Sequence, residues 1–170
     1  MPERDWIVDP ETLDFTRVVA AGPELERWVP QRGPMAQLDA IILDDAERRV
    51  CVGYRDLTAT EFWVAGHMPA MPLMPGMLMC EAAAQVCTYH AQRHDLLQSE
   101  LMGFGGLDGV RFRGYVLPGD RLTVACHVLK HRPKRMVVCR FEGFVGSRLV
   151  CEGELHGVPL PVAELLRGGR

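Results

Sequence analysis

Apolar residues recur along this chain in two rhythms. In Met77-Leu78-Met79-Cys80-Glu81-Ala82-Ala83-Ala84 nearly every position is apolar or small. That density over about two turns marks a helix enclosed on all sides rather than half-exposed. Pro75 suits its first position, where a missing N–H costs nothing. The helix is predicted to run to about His94, roughly 30 Å at 1.5 Å per residue, with polar residues taking over from Thr88. Elsewhere the period falls to two. Arg49–Arg55 alternates Val50, Val52 and Tyr54, and Met35–Leu43 precedes it across the charged run 44–48, as in a hairpin. Glu61–Val64 reads as a third, short strand. Beyond the helix, strands are predicted over Gly106–Tyr115, Arg121–Leu129, Met136–Val145 and Leu149–Val158, with turns at Pro118-Gly119-Asp120, Arg132-Pro133-Lys134 and Gly146-Ser147.

These elements predict an α+β fold in which an antiparallel sheet wraps around one long central helix, burying each of its faces. Residues 1–24 read as an N-terminal extension with a helical turn near Leu13–Val19. The domain proper spans 25–160 and begins with a short helix, Leu25–Val29, closed by Pro30. Residues 161–170 read as a frayed tail.

Composition narrows the class. At 170 residues, with 48% hydrophobic and 24% charged positions, the chain suits one globular domain. Six cysteines (Cys51, Cys80, Cys87, Cys126, Cys139, Cys151) lie inside apolar segments without a C-x-x-C pair, as buried reduced thiols would. No secretory leader and no stretch near the ~20 apolar residues of a membrane span are visible, so a soluble, cytoplasmic protein is expected. Charge is uneven. Residues 1–61 hold thirteen acids against seven Arg/Lys, whereas residues 110–140 hold eight Arg/Lys against Asp120. That basic stretch reads as a solvated strand face or as a docking patch for an acidic partner. Nucleic acid is disfavoured by the acidic overall balance and the lack of aromatic–basic interleaving.

Candidate chemistry concentrates at residues 66–85. Glu81 is a carboxylate in an apolar helix, which needs a partner or a task. His67, in the proline-rich loop before the helix, is the side chain suited to taking a proton near neutral pH. Because Pro75 lacks an N–H, the foremost free donor at the helix start belongs to Gly76, and the absent side chain admits a ligand to the backbone. Glu81 lies five residues on, about 140° around the helix. The two groups therefore point to different sides, and a two-fold dimer would let Glu81 of one subunit meet His67 and Gly76 of the other. Plain structural roles stay open: a Pro-Gly turn, a satisfied loop histidine, and a buried Glu81–Arg111 ion pair. Cys87, His90 and His94 share helical spacing, but a fourth metal ligand is not evident.

The whole pattern resembles the β-hydroxyacyl-acyl-carrier-protein dehydratases of the FabZ type, which have the hot-dog fold. Their G-H-F-P-x-x-P-x-M-P-G-x-L-x-x-E-A-x-A-Q motif is matched by Gly66, His67, Pro69, Pro72, Met74, Pro75, Gly76, Leu78, Glu81, Ala82, Ala84 and Gln85. Val29-Pro30-Gln31-Arg32-Gly33-Pro34 with Asp39 resembles the family's L-P-H-R-x-P segment and its aspartate. Arg111-Phe112-Arg113 and Pro118-Gly119-Asp120 resemble its R-F and P-G-D elements.

The resemblance implies dehydration of a (3R)-hydroxyacyl thioester to the trans-2-enoyl thioester without metal or redox cofactor, the acyl group riding on the phosphopantetheine arm of acyl carrier protein. In that reading His67 removes the α-proton, the partner's glutamate at position 81 protonates the departing hydroxyl, the Gly76 amide steadies the thioester oxygen, and Gln85 orients the carboxylate. Met68, Met71, Met74, Met77 and Phe112 would line a pliable acyl tunnel. Arg111, Arg113, Lys130, Arg132, Lys134 and Arg135 would hold the carrier. A homodimer is implied, and a hexamer built as a trimer of dimers is left open.

Met68 stands for the usual Phe, Ala70-Met71 for Gly-Asn or Gly-Asp, and Gln31 for His. All are expected to touch the loop and the site's mouth rather than the catalytic groups. A hot-dog acyl thioesterase and a non-catalytic acyl-binding subunit are the competing readings.

Overall fold

Small side chains decide how the long helix is housed. In the computed structural model, which describes residues 5–168, strands β1 (Ala20–Ala21), β2 (Ala40–Asp45), β3 (Val50–Asp56), β4 (Met102–Phe112), β5 (Arg121–Arg132), β6 (Met136–Val145) and β7 (Arg148–Pro159) form one antiparallel sheet in the order β1-β2-β3-β5-β6-β7-β4. Helices α1 (Pro23–Glu26), α2 (Gly76–Arg93) and α3 (Val162–Gly168) accompany it. The sheet packs around α2, whose Ala82, Ala83, Val86, Cys87 and Tyr89 are almost wholly buried. Gly53 makes that approach possible: a Cβ there would lie 2.9 Å from Ile41 Cδ1 and 3.1 Å from Val86 Cγ2. The inner core adds Leu122, Val124, Phe141 and Leu155, each burial contributing about 1.5–3 kcal/mol. All six cysteines are free and buried. Burial pushes the thiols of Cys51 and Cys126 well above their ordinary range and that of Cys151 up to about 12, so these three stay protonated.

Several predicted boundaries move. Pro75 caps α2 and Gly76 is its first residue. Gly33–Met35 forms a 3₁₀ turn, so the strand expected from Met35 starts at Ala40 and absorbs Asp44 and Asp45. Glu61–Val64 is a turn, not a strand: its N–H groups fold back, Glu61 onto the Thr58 carbonyl and Val64 onto Glu61's. The strand expected at Gly106–Tyr115 runs Met102–Phe112. The helix expected at Leu25–Val29 is Pro23–Glu26, and most of the tail expected to fray is α3.

The N-terminal segment is part of the sheet's packing. Its helical turn lies at Pro10–Thr12 rather than Leu13–Val19, and β1 extends the sheet edge. Ile7 and Val8 join Val50, Val52, Ala125 and Phe144 in a second core on the face away from α2. Trp6 meets Phe144 edge-on at 5.3 Å. Fully buried Glu142 pins the segment, accepting from the Ile7 N–H at 2.9 Å and from Arg140 at 2.5 Å.

At the C-terminal end of α2, Asp44 is the hub of a buried ion-pair cluster. His90 Nδ1 lies 2.5 Å from Oδ1, His94 Nε2 3.0 Å and Arg93 Nε 3.3 Å from Oδ2, with the Asp44 side chain 2% exposed. Cys51, rather than Cys87, is the cysteine beside Asp44 and His90. Burial alone would raise the Asp44 carboxyl, but the hydrogen bonds and charges of His90 and His94 outweigh it and hold it below its ordinary 3.8. A depressed carboxyl stabilises the fold above its unfolded value, and that contribution is lost as pH falls through the folded value. Asp44→Asn is therefore expected to cost about 3 kcal/mol at pH 7, lowering Tm by about 6–12 °C in a chain this size. Thermal melts against pH check this. The gap between the two proteins should close below the usual carboxylate range, and a gap that persisted unchanged at pH 3 would contradict the assignment.

Candidate active site

The histidine loop is tied down before it reaches α2. Arg55, at the end of β3, bridges Asp39 (2.8 Å) and Glu61 (3.0 Å), fixing where the loop departs. Trp63 is buried just beyond, and the His67 N–H donates to its carbonyl at 2.7 Å. Met68, next in line, takes a left-handed φ of 53°, which bends the loop and turns its side chain out to solvent. Met74 then returns to the core, its N–H donating to the Val116 carbonyl at 2.9 Å.

His67 Nδ1 sits 2.8 Å from the Leu73 carbonyl oxygen. A carbonyl only accepts, so Nδ1 carries the hydrogen and Nε2 keeps the lone pair of the neutral ring. The imidazole is thereby set up as a proton acceptor. It lines an open cleft of about 540 Å³ with Met74, Gly76, Met77, Phe112, Arg113 and Tyr115 among the walls, a size suited to small ligands.

Gly76 shares that cleft. Its N–H heads α2 and has no acceptor among the described residues. A Cβ there would come within 2.7–3.0 Å of the Phe112 ring, so only glycine lets Phe112 lie against the helix start. Of the expected tunnel residues, Met74, Met77 and Phe112 line the cleft. Met68 and Met71 do not, and both are more than half exposed.

Glu81 lies outside this cleft in the same protomer. It faces neutral amides, not Arg111, which is exposed and bonds the carbonyl of neighbouring Val110. Gln85 Nε2 donates to Glu81 Oε1 at 2.8 Å, and Gln31 Nε2 donates to the same oxygen at 3.2 Å. Gln85 is itself fully constrained. Its Nε2 also reaches the Met35 carbonyl at 2.7 Å, and its Oε1 accepts the Gln37 N–H at 2.8 Å. Gln31, expected at the mouth and away from catalytic groups, touches Glu81 directly. The sequence pattern had marked position 31 as a departure without showing the contact.

The six basic residues expected to form one docking patch do not come together in the protomer. Through the ladder Phe112↔Cys151↔Gly143↔Val124, Arg111 and Arg113 belong to the end of the sheet that carries the cleft. Lys130, Arg132, Lys134 and Arg135 surround the β5–β6 turn, eight residues and roughly 27 Å further along β5. Arg113 lines the cleft and pairs with Glu152 at 2.8 Å.

A family model described as "FabA-like domain" matches residues 29–154. The chain is 36% identical over 132 residues to a Clostridioides difficile (strain 630) protein named 3-hydroxyacyl-[acyl-carrier-protein] dehydratase FabZ, covering 78% of this chain and 92% of that protein. Among solved structures it is similar to the dehydratase heterocomplex ApeI:P from Xenorhabdus doucetiae, with a TM-score of 0.68 at 18% identity over 84% of this chain and 95% of that one. The E. coli PaaI protein from the phenylacetic acid degradation operon gives 0.54 at 19% identity, over 69% and 80%. At such identities the structures speak to the fold alone, which is the hot-dog fold. No helix among the described residues is long and apolar enough to cross a membrane.

Proposed function

The chain belongs to the FabA-like family and dehydrates 3-hydroxyacyl groups carried on acyl carrier protein, a step of fatty-acid synthesis; from that premise we propose that His67, Gly76 and Glu81 carry the reaction at sites shared between two subunits of a homodimer. The observation that carries the assignment is the His67 ring, held at Nδ1 by the Leu73 carbonyl, with Nε2 unpartnered among the described residues, in a cleft that His67 lines together with Gly76.

His67 Nε2 takes a proton from C2 of the (3R)-hydroxyacyl thioester. The electron pair left behind spreads onto the thioester oxygen, where the Gly76 N–H and the positive end of α2 stabilise it. The pair then forms the C2–C3 double bond as the C3–O bond breaks, with a proton from the glutamate at position 81 of the second subunit completing the water. Atoms and charge balance with no metal or redox partner. Arg111 and Arg113, at the cleft end of the sheet, are the cations we assign to the acidic carrier; the β5–β6 cluster is too distant within one protomer. A cytoplasmic location belongs to the same proposal.

Incubated with 3-hydroxyacyl carrier-protein thioesters of several chain lengths, the protein is expected to yield the 2-enoyl thioester, and to rehydrate it when supplied in excess. Mass spectrometry distinguishes the outcomes. Free acid in place of enoyl product would make it a thioesterase, and no conversion at any length would make it an acyl-binding subunit.

A further inference from the structure

We propose that Gln31 is a positioning residue for the reaction, acting through Glu81 by reserving one of its two oxygens for the transferred proton. The inference rests on the dehydratase reading and on Glu81 as the acid.

Oε1 of Glu81 receives two amide donors, from Gln85 at 2.8 Å and Gln31 at 3.2 Å. A carboxyl oxygen has two in-plane lone pairs. With both engaged, a proton on Glu81 resides on Oε2, and the acid presents a single face to substrate. Gln85 alone would leave one lone pair of Oε1 free to compete.

The segment bearing Gln31 is built to hold it there. Arg32 folds back onto the carbonyls of Glu26 (2.7 Å), Val29 (2.6 Å) and Gln31 itself (2.8 Å), closing the turn from Val29 to Arg32 around its guanidinium. Among the described residues the Gln31 Oε1 is buried without a hydrogen-bond partner, and there only the bond to Glu81 sets the orientation of this amide. Turning it over would aim Oε1 at a carboxylate. An amide also does not titrate, so the donor persists across the working pH range.

Three proteins test this: wild type, Gln31→Met, which keeps length without a donor, and Gln31→Glu, which keeps shape but replaces the donor with a carboxylate. Gln31→Met is expected to lower kcat about tenfold with KM within twofold, the signature of an interaction used only in the transition state, and with Tm unchanged. For Gln31→Glu, kcat relative to wild type should be lowest near pH 8 and rise toward pH 5, because two adjacent carboxylates share a proton as pH falls. A packing role would leave that ratio flat. Unchanged kcat in Gln31→Met, or a flat ratio in Gln31→Glu, overturns the inference while the dehydratase reading stands. A wild-type protein that forms no enoyl product overturns both together.

Discussion

Alanine at position 67 is expected to reduce kcat by about three orders of magnitude, the loss typical of a missing general base, while leaving the fold in place. His67 is half-buried on a loop whose course is fixed by others: Arg55 between Asp39 and Glu61, buried Trp63, and the Met74–Val116 bond. Removing the ring forfeits the single hydrogen bond to Leu73, about 1 kcal/mol, so Tm should fall by only about 2–4 °C. Two measurements separate chemistry from folding. Circular dichroism and a thermal melt should match wild type closely, and exchange of the substrate's C2 hydrogen with solvent deuterium should cease. Retention of a tenth or more of wild-type turnover would remove His67 from the role of base.

How far these residues could be found in the sequence depended on how local their partners were. His67, Gly76 and Glu81 lie within fifteen positions of one another, and helix periodicity alone separates Gly76 from Glu81 by about 140°. The Gln31–Glu81 contact spans fifty positions and forms because the turn around Arg32 meets the middle of α2. Residue spacing carries no record of such a meeting.

The short apolar run Phe62-Trp63-Val64 has the length of a strand, yet it turns. Trp63 is buried and Phe62 half exposed, but the N–H groups of Glu61, Val64 and Gly66 fold back onto carbonyls three positions before them instead of reaching a neighbouring strand. Ile7 and Val8 form too brief a pair to signal an element, and their significance comes from Glu142 on a strand 135 positions away. The basic stretch looked continuous because sequence order ignores strand length. The twelve residues of β5 place its cations at opposite ends of the sheet.

Glutamine at position 81 should be as damaging as alanine at 67, since it keeps the shape of Glu81 and its bond from Gln85 but supplies no acid. Each variant alone is expected to be inactive, and the informative experiment mixes them. If one site draws His67 from one subunit and Glu81 from the other, a hybrid of His67→Ala with Glu81→Gln contains one wholly intact site and one lacking both groups. Random exchange of equal amounts makes half the dimers hybrids, so about a quarter of wild-type activity should return. If both groups came from one chain, every site would lack one of them and nothing would return. Exchange is followed independently by mass-tagging one variant. Recovery near a quarter, appearing at the rate of subunit exchange, assigns the acid to the neighbouring subunit. Silence after complete exchange would place His67 and Glu81 in one chain's site, against their separation around α2 and the absence of Glu81 from the walls of the His67 cleft.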